Sequence, residues 1–406
     1  MTLSSDIMGI TMKTKTRALL VLTTLFVLLV LSASLAYANQ SGEETPQEDA
    51  VLCPPGAYVN VHTDCQPSGP SQYLTELGEH GFSFPVEPFP GVSPDINLTY
   101  IHYKYAQVRE YTTPVYPSAE AAAAGKDKDA ARYMTAAFSY VSYTQEPVVN
   151  GARVYEVEPS GWMSSGDVIR VTPPRFQGYK IQRTPTRPFG WVLSYLSATT
   201  RVETKRTPGL DVNDYTGHYL DNHQIVWIYD TVEASDGDWY MVGPDEWLPD
   251  NVVARVIPDT TPPEGVPGGR WIEVNLYEQT LAVYDNYEMV FATLVASGLD
   301  PFWTKPGLFQ IYETHEATDM SGAFELDSSD AYFLEDVPWT MYFDNARALH
   351  GAYWRANLGF PQSHGCVNLS IGDARWIYDW AEIGDWVYVW DPSGQTPTDP
   401  AVYNEE

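Results

Sequence analysis

The chain has 406 residues, more than one hydrophobic core ordinarily holds, so its length predicts two or three domains. Aromatic residues make up 14% of the chain and charged residues 19%, which favours folded, strand-rich domains over a disordered chain. The formal charge of -30 argues against nucleic acid as a partner, because such binding needs clustered Lys and Arg, and it disfavours electrostatic attachment to anionic lipid.

The segment 1–38 has the pattern of a secretory signal peptide. A basic cluster at residues 13–17 precedes an uncharged stretch, 18–38, that is rich in Leu and Val and ends in Ala-Tyr-Ala. This order of basic, apolar and small residues is typical of a cleaved signal. The uncharged stretch is also long enough to remain as a membrane anchor. Either outcome predicts an exported protein of the cell envelope or the extracellular space.

The segment 39–99 is predicted to be a linker that contains one small element closed by a disulfide. It is polar and rich in Pro, Gly, Ser and Glu, which is typical of linkers. Cys53 and Cys65 lie close in sequence, and an oxidising compartment favours a bond between them. Because the chain has 3 cysteines, that pairing leaves Cys366 as a free thiol.

Two later segments repeat one another at a constant offset. Tyr155 has its counterpart in Tyr240, and the Val, Pro, Trp and Arg residues that follow each tyrosine repeat at the same spacing. The match predicts an internal duplication, with one small β module at 100–172 and a second at 173–257. These modules loosely resemble bacterial Src-homology-3-like barrels, which often bind wall peptides; a simple spacer role is the alternative.

The C-terminal third predicts a separate domain. A Pro- and Gly-rich linker at 258–269 precedes it, the domain itself spans 270–391, and an acidic tail follows at 392–406. Alternating apolar and polar residues after the linker predict a β-meander.

One helix is predicted in this domain. It begins at Ser370, where Asp373 completes a capping-box pattern, and it runs to Gly384 before a last strand at 386–390. The predicted fold class is therefore mainly β: an exported multidomain protein with two small β-barrel-like repeats and a C-terminal mixed β/α domain.

A histidine and a cysteine occur close together in the same domain. His350 precedes Cys366, which lies in the hexapeptide Ser-His-Gly-Cys-Val-Asn at 363–368. A free thiol is only a few per cent thiolate at neutral pH, so a nucleophilic Cys366 needs a nearby base or positive potential. His350, His364 and backbone amides near the helix start are the candidates. Gly365 has no side chain, so backbone N–H groups can converge beside the sulfur as an oxyanion hole.

The pair His350-Gly351, followed by the hexapeptide, resembles the signature of the L,D-transpeptidase family, whose catalytic domain is called YkuD. A small-Ser-Gly run at 296–298 and Thr-Lys-Pro-Gly at 304–307 are similar to two strand ends of that family. Two departures are visible. The insert between His350 and Ser363 is shorter than in the commoner family pattern, and Lys305 interrupts the usual Thr-Pro-x-Gly.

The resemblance implies a cysteine acyl-enzyme. Cys366 would attack a peptide carbonyl and form a thioester, while His350 would take the thiol proton and later activate the acceptor amine. The carbonyl of Gly351 would fix the His350 tautomer, as a third group does in other nucleophile–base pairs. No cofactor or metal is implied. A zinc site of His350, His364 and Cys366 is the alternative, and no compact ligand spacing supports it.

Further residues take roles from the same resemblance. His364 and Asn368 would shape the cysteine loop, and Ser363 would contribute a hydroxyl hydrogen bond. Trp354 is similar in position to an aromatic residue that lines the family's substrate pocket, and ordinary packing explains it equally well.

The substrate class implied is the stem peptide of peptidoglycan, so the reaction would serve cell-wall biogenesis and cell shape. A donor tetrapeptide would lose D-alanine, and its acyl group would join a second stem in a 3-to-3 cross-link. Hydrolysis by an L,D-carboxypeptidase and an inert wall-binding scaffold are the alternatives. The resemblance also implies inhibition by β-lactams of the carbapenem class, which a thiolate can open.

Overall fold

The computed structural model describes residues 88–135, 138–157, 159–194, 201–210, 213–323 and 331–403, together with Gly81 and Pro85. The predicted signal segment and the Cys53–Cys65 pair lie outside these residues. In the described part the α-helices are α1, Ala119–Ala124, and α2, Ile371–Trp380. Neither they nor any other helix of that part is long and apolar enough to cross a bilayer. Short 3₁₀ turns lie at Ile96–Thr99, Asp127–Asp129, Asp250–Val252 and Pro400–Tyr403.

The structure is mainly β, as the sequence predicts. The strands of the first part are β1 Gly91–Val92, β2 Lys104–Val108, β3 Thr112–Val115, β4 Arg132–Thr135, β5 Phe138–Tyr143, β6 Val148–Val149, β7 Ala152–Val157, β8 Gly161–Ser164, β9 Val168–Val171 and β10 Tyr179–Ile181. The next are β11 Phe189–Val192, β12 Val202–Lys205, β13 Tyr215–Leu220, β14 Ile225–Trp227, β15 Asp230–Ala234, β16 Gly237–Gly243, β17 Glu246–Pro249 and β18 Val253–Val256. The last are β19 Trp271–Asn275, β20 Thr280–Asp285, β21 Glu288–Leu294, β22 Gly307–Gln310, β23 Glu313–Gly322, β24 Tyr332–Asp344, β25 Arg347–Gly351, β26 Val367–Leu369 and β27 Trp386–Trp390.

Two large sheets organise the C-terminal part. The first has the order β1-β10-β21-β20-β19-β27-β22, in which β19 to β21 form the predicted meander and β27 pairs with β19 in parallel. The second contains the path β26-β25-β24-β5-β2-β9, and β23 also pairs with β24. Smaller sheets, β14-β11-β18 and β13-β12-β17-β16-β15, build the region before residue 257.

The seven-stranded sheet is buried on both faces. Along β19, Ile272 points into a core shared with α2 and β24 to β26, and Trp271 points the opposite way because side chains alternate along a strand. Trp271 stacks on Tyr284, with ring centroids 4.3 Å apart, and packs near Phe189 and Trp191 of β11. This sheet therefore separates the core of the C-terminal domain from that of the preceding module.

Hydrogen-bonded sheets continue across the predicted module boundaries. In the first predicted module, β5 pairs in parallel with β24, with Phe138 opposite Tyr332 and Tyr140 opposite Leu334. β10 pairs with β21, and β1, from the end of the predicted linker 39–99, pairs with β10. The sheets therefore do not stop at the predicted boundaries, which divide the sequence but not the hydrogen-bonded sheets.

The repeated segments form equivalent hairpins. In β7–β8, Glu156 lies opposite Trp162, and in β16–β17, Met241 lies opposite Trp247, which is the same pair shifted by the offset of the repeat. The strand after each hairpin lies beside an earlier strand of its own module, β9 beside β2 and β18 beside β11. These matching pairs support the predicted duplication; closure of each module into a barrel remains a prediction.

Helix α2 begins as the sequence predicts and ends earlier. The amide of Asp373 donates to Oγ of the N-cap Ser370 over 3.2 Å, as a capping box requires. The prediction that the helix reaches Gly384 is wrong. The helix stops at Trp380, because Ala381 takes an extended conformation, and Gly384 instead occupies a turn with φ of +100°.

The buried carboxylate of Asp373 connects three parts of the chain. It accepts hydrogen bonds from the amide of Gly178, over 2.9 Å, and from Oγ1 of Thr293, over 2.6 Å. Gly178 immediately precedes β10, Thr293 belongs to β21, and Asp373 lies in α2. Burial raises the pKa of Asp373 to about 6, which these donors partly oppose. The contact therefore fixes the segment before β10 on the C-terminal domain.

We expect Asp373→Ala to lower the free energy of unfolding by roughly 2–4 kcal/mol, because it leaves two buried donors without a partner. Asp379→Ala is the matched control, since Asp379 lies on the exposed side of the same helix in an ion pair with Arg375. That change should cost less than about 0.5 kcal/mol. Urea denaturation measures both free energies. Equal losses in the two variants would show that the hydrogen bonds of Asp373 add no more to the stability of the fold than the surface ion pair of Asp379 does.

Candidate active site

His350 and Cys366 are brought together by two adjacent parallel strands. In the β25–β26 pair, Leu349 lies opposite Val367 and His350 lies opposite Asn368. Because residues in register on adjacent strands share a face, Asn368 points to the same side as His350, and Cys366 lies one residue before β26. All three line one cavity of about 580 Å³. The two sequence motifs therefore meet in one place.

The turn before Cys366 is held by hydroxyl groups. Gly365 has φ of +117°, a conformation that favours glycine. Oγ of Ser363 accepts from the Gly365 amide over 3.1 Å and donates to the Cys366 carbonyl over 2.5 Å. Oγ1 of Thr304 donates to the Gly365 carbonyl over 2.8 Å and accepts from the Gly298 amide over 2.8 Å. Since the Gly365 amide is already engaged, its contribution is the shape of the turn rather than a donor for an oxyanion.

The small-Ser-Gly segment supports the same loop from the neighbouring strand end. The carbonyl of Ser297 accepts from the Ser363 amide over 2.9 Å. Gln279, which is buried, accepts from the Ser297 amide over 2.8 Å and donates to its Oγ over 2.7 Å. Ala296 pairs with Asn368 across an isolated bridge. Gln279 was not identified from the sequence, because its partner is distant along the chain and lies in no recognised motif.

His350 is held as a neutral imidazole. Its side chain is 2% exposed, and burial lowers its pKa to about 4, with a further decrease from the charge of Arg355. The Gly351 backbone opposes that decrease. Nδ1 of His350 nevertheless has no hydrogen-bond partner of good geometry among the described residues, so the predicted role of Gly351 in fixing the tautomer remains a prediction. A neutral imidazole at neutral pH can accept a proton from a thiol.

The thiol of Cys366 lies at the edge of the cavity, half-buried and outside any disulfide. Its Sγ is 3.6 Å from the carbonyl oxygen of Ala346. The adjacent Arg347 also lines the cavity, and its guanidinium is fixed by Asp344 over 3.1 Å and by the Trp303 carbonyl over 3.3 Å. Arg347 therefore lies on the cysteine side of the cavity as a member of a buried ion pair with Asp344.

The remaining predicted site residues surround this pair. Ser363, His364 and Trp354 line the cavity. His364 stacks on Tyr332, with ring centroids 5.4 Å apart, in the wall of the cavity. The ring of Trp354 lies 5.6 Å from that of His350 and also packs against the core. Trp354 therefore both lines the cavity and takes part in ordinary core packing.

Phe138 and Arg355 are among the cavity residues that sequence reasoning missed. Phe138 comes from β5 of the first predicted module, and Arg355 follows the His-Gly motif by a few residues. Phe138 carries no local signal of its position, because only the parallel pairing with β24 brings it to the cavity. In the described part of the chain, no group of three or more His, Cys, Asp or Glu side chains is placed to hold a metal ion.

Residues 269–389 match the family model of YkuD, the L,D-transpeptidase catalytic domain, which confirms the predicted resemblance for this region. The curated protein "Putative L,D-transpeptidase YciB" of Bacillus subtilis is 24% identical over 127 residues. That alignment covers 27% of this chain and 59% of the relative, so the chain spans somewhat over half the length of that protein.

Two solved structures are also similar. The L,D-transpeptidase of Stackebrandtia nassauensis is 26% identical, with a TM-score of 0.26, over 33% of this chain and 59% of that one. The catalytic domain of the E. faecium L,D-transpeptidase is 24% identical, with a TM-score of 0.28, over 31% of this chain and 100% of that one.

The depressed pKa of His350 predicts a loss of stability in acid. Between the ordinary pKa of 6.5 and the folded value of about 4, the unfolded chain binds more protons than the folded one. The free energy of unfolding should therefore fall as pH drops through this window, with His350 contributing about 2.5 kcal/mol of the loss by about pH 4.5.

Urea denaturation at about pH 7 and about pH 4.5 tests this. His350→Gln should lose less stability on acidification than the unsubstituted chain, by that amount. His102→Gln, at an exposed histidine, is the control and should behave as the unsubstituted chain does. If His350→Gln shows the same acid loss as the control, the folded protein does not hold this imidazole neutral.

Proposed function

We propose that this protein is a peptidoglycan L,D-transpeptidase that acts through a thioester on Cys366. The observation that carries the proposal is the parallel register of β25 and β26, which places a neutral, buried His350 and Cys366 on one face of one cavity. The match of residues 269–389 to the L,D-transpeptidase catalytic domain supports the reaction class.

The proposed first half-reaction forms the acyl-enzyme. His350 takes the proton of the Cys366 thiol, and the sulfur attacks the carbonyl carbon of the donor peptide. The scissile C–N bond then breaks, the leaving amine takes the proton from His350, and a thioester remains on Cys366.

The proposed second half-reaction transfers the acyl group. An amine of a second stem peptide attacks the thioester, and His350 accepts the amine proton. The C–S bond then breaks as the new amide forms, and His350 returns the proton to the sulfur of Cys366. With a tetrapeptide donor and the side-chain amine of a second stem as acceptor, the product is a 3-to-3 cross-link. Water in place of the amine would give an L,D-carboxypeptidase.

The proposed location is outside the cytoplasmic membrane. The basic and apolar pattern of 1–38 supports export, either with cleavage or as an anchor. The carbapenem class of β-lactams is the proposed inhibitor, since a nucleophilic thiolate can open its strained ring and remain acylated.

The test is incubation of the protein with purified disaccharide-tetrapeptide, followed by mass spectrometry of the products. We expect a cross-linked dimer, with D-alanine released. Cys366→Ala should abolish product, His350→Ala should reduce turnover nearly as far, and His364→Ala should cost less, because His364 only forms a wall of the cavity. Tripeptide without dimer would identify a hydrolase. Unchanged tetrapeptide would contradict the proposal, and dimer formation by Cys366→Ala would exclude Cys366 as the nucleophile.

A further inference from the structure

The cavity around Cys366 differs in charge from the rest of the molecule. The chain carries 53 acidic and 23 basic residues. None of the described residues that line this cavity is acidic, whereas Arg347 and Arg355 both line it. A cavity that is lined by arginines and by no described carboxylate, in a strongly acidic protein, indicates an anionic ligand. Carboxylates on the wall would repel such a ligand, whereas guanidinium groups attract it.

The two arginines have different surroundings. The guanidinium of Arg347 forms an ion pair with Asp344 over 3.1 Å, so its charge is compensated within the protein. No described carboxylate lies within ion-pair distance of Arg355. Arg355 donates from Nη2 to the carbonyl of Gln362, while its Nε is buried without a hydrogen-bond partner in the described part of the chain.

The position of Arg355 is fixed from two sides. Its backbone amide donates to the Ala352 carbonyl over 3.2 Å, which closes the turn after β25. Its guanidinium carbon lies 6.0 Å from the ring centre of Phe138, a residue that β5 places in the cavity wall. Partial burial lowers the pKa of Arg355, and Tyr140 opposes this decrease.

An uncompensated guanidinium in a partly buried site destabilises the free protein, because it has lost water without gaining a carboxylate. A ligand carboxylate removes that penalty and can accept two parallel N–H hydrogen bonds from the planar group. The arrangement therefore has the features of a site for a substrate carboxylate.

We propose that Arg355 binds a free carboxylate of the donor peptide while the neighbouring carbonyl lies against Cys366, with Phe138 covering one side of the guanidinium. The inference rests on the proposed function, because it takes the donor to be a stem peptide. The family resemblance implies a donor whose scissile bond follows meso-diaminopimelate. Such a donor offers two carboxylates near the scissile amide: the C-terminal carboxylate of the residue that leaves, and the carboxylate on the side chain of the diaminopimelate. Both present the same chemistry to Arg355.

The experiment measures binding rather than turnover, so that it stands independently of the reaction. The full chain with Cys366→Ala is titrated by calorimetry with three donor tetrapeptides: one with both carboxylates free, one with a C-terminal amide, and one with a side-chain amide. We expect one of the two amides to weaken binding by about 10- to 100-fold, and that amide identifies the carboxylate that Arg355 contacts.

Adding Arg355→Gln should weaken binding of the free donor by a similar factor and should have no further effect on the affected amide. Adding Arg355→Lys should restore part of the affinity, since it keeps the charge and loses the planar fork. Arg375→Gln is the matched control: Arg375 lies on α2 in an ion pair with Asp379, and its loss should leave all three affinities unchanged.

Equal weakening of all three donors by Arg355→Gln would overturn the inference, because Arg355 would then act only by holding the Gln362 carbonyl. Absence of a difference between the free donor and both amides would overturn it as well. Failure of the chain to make cross-links would count against the proposed function alone, provided that the carboxylate dependence of binding persists in the Cys366→Ala background.

Discussion

The site depends on a short parallel pairing between β25 and β26. The pairing sets the residue opposite each position, and a shift of one residue would turn Cys366 to the other face of the sheet, away from His350. Three residue pairs are a small basis for such a constraint. Hydrogen bonds of the surrounding loop add to this constraint. The hydroxyls of Ser363 and Thr304 donate to carbonyls of the turn before β26. Gln279 holds the strand end against which that turn packs.

The upstream region takes part in this arrangement through its strands. β5 extends the sheet that carries β24 to β26, and it brings Phe138 to the cavity. On the other side of the domain, β11 packs on the back of the seven-stranded sheet through Phe189 and Trp191. Glu278, one residue before Gln279, pairs with Arg255 over 2.9 Å in a buried ion pair. Two consecutive residues therefore face the two regions: Glu278 contacts the second module, and Gln279 contacts the strand end that supports the cysteine loop.

Local signals identified the proposed reacting groups and the start of the helix. His350 and Cys366 stand in short motifs, and Ser370 with Asp373 forms a cap within one helical turn, so a few neighbouring residues contain the information. Arg355 stands beside a recognised motif, yet its significance depends on which carboxylates approach it in space. Phe138 depends on pairing between β5 and β24, which are far apart along the chain, and such non-local pairing cannot be read from the periodicity of either strand alone.

The most direct measurement of the central claim is labelling of the full chain with a carbapenem, followed by peptide mapping under reducing conditions. The peptide that contains Cys366 should gain one drug mass, and the adduct should form more slowly in His350→Ala, because less thiolate is available without the base. The claim is contradicted if the mass is carried by Ser363, or if Cys366 remains unlabelled by the drug while the chain is folded.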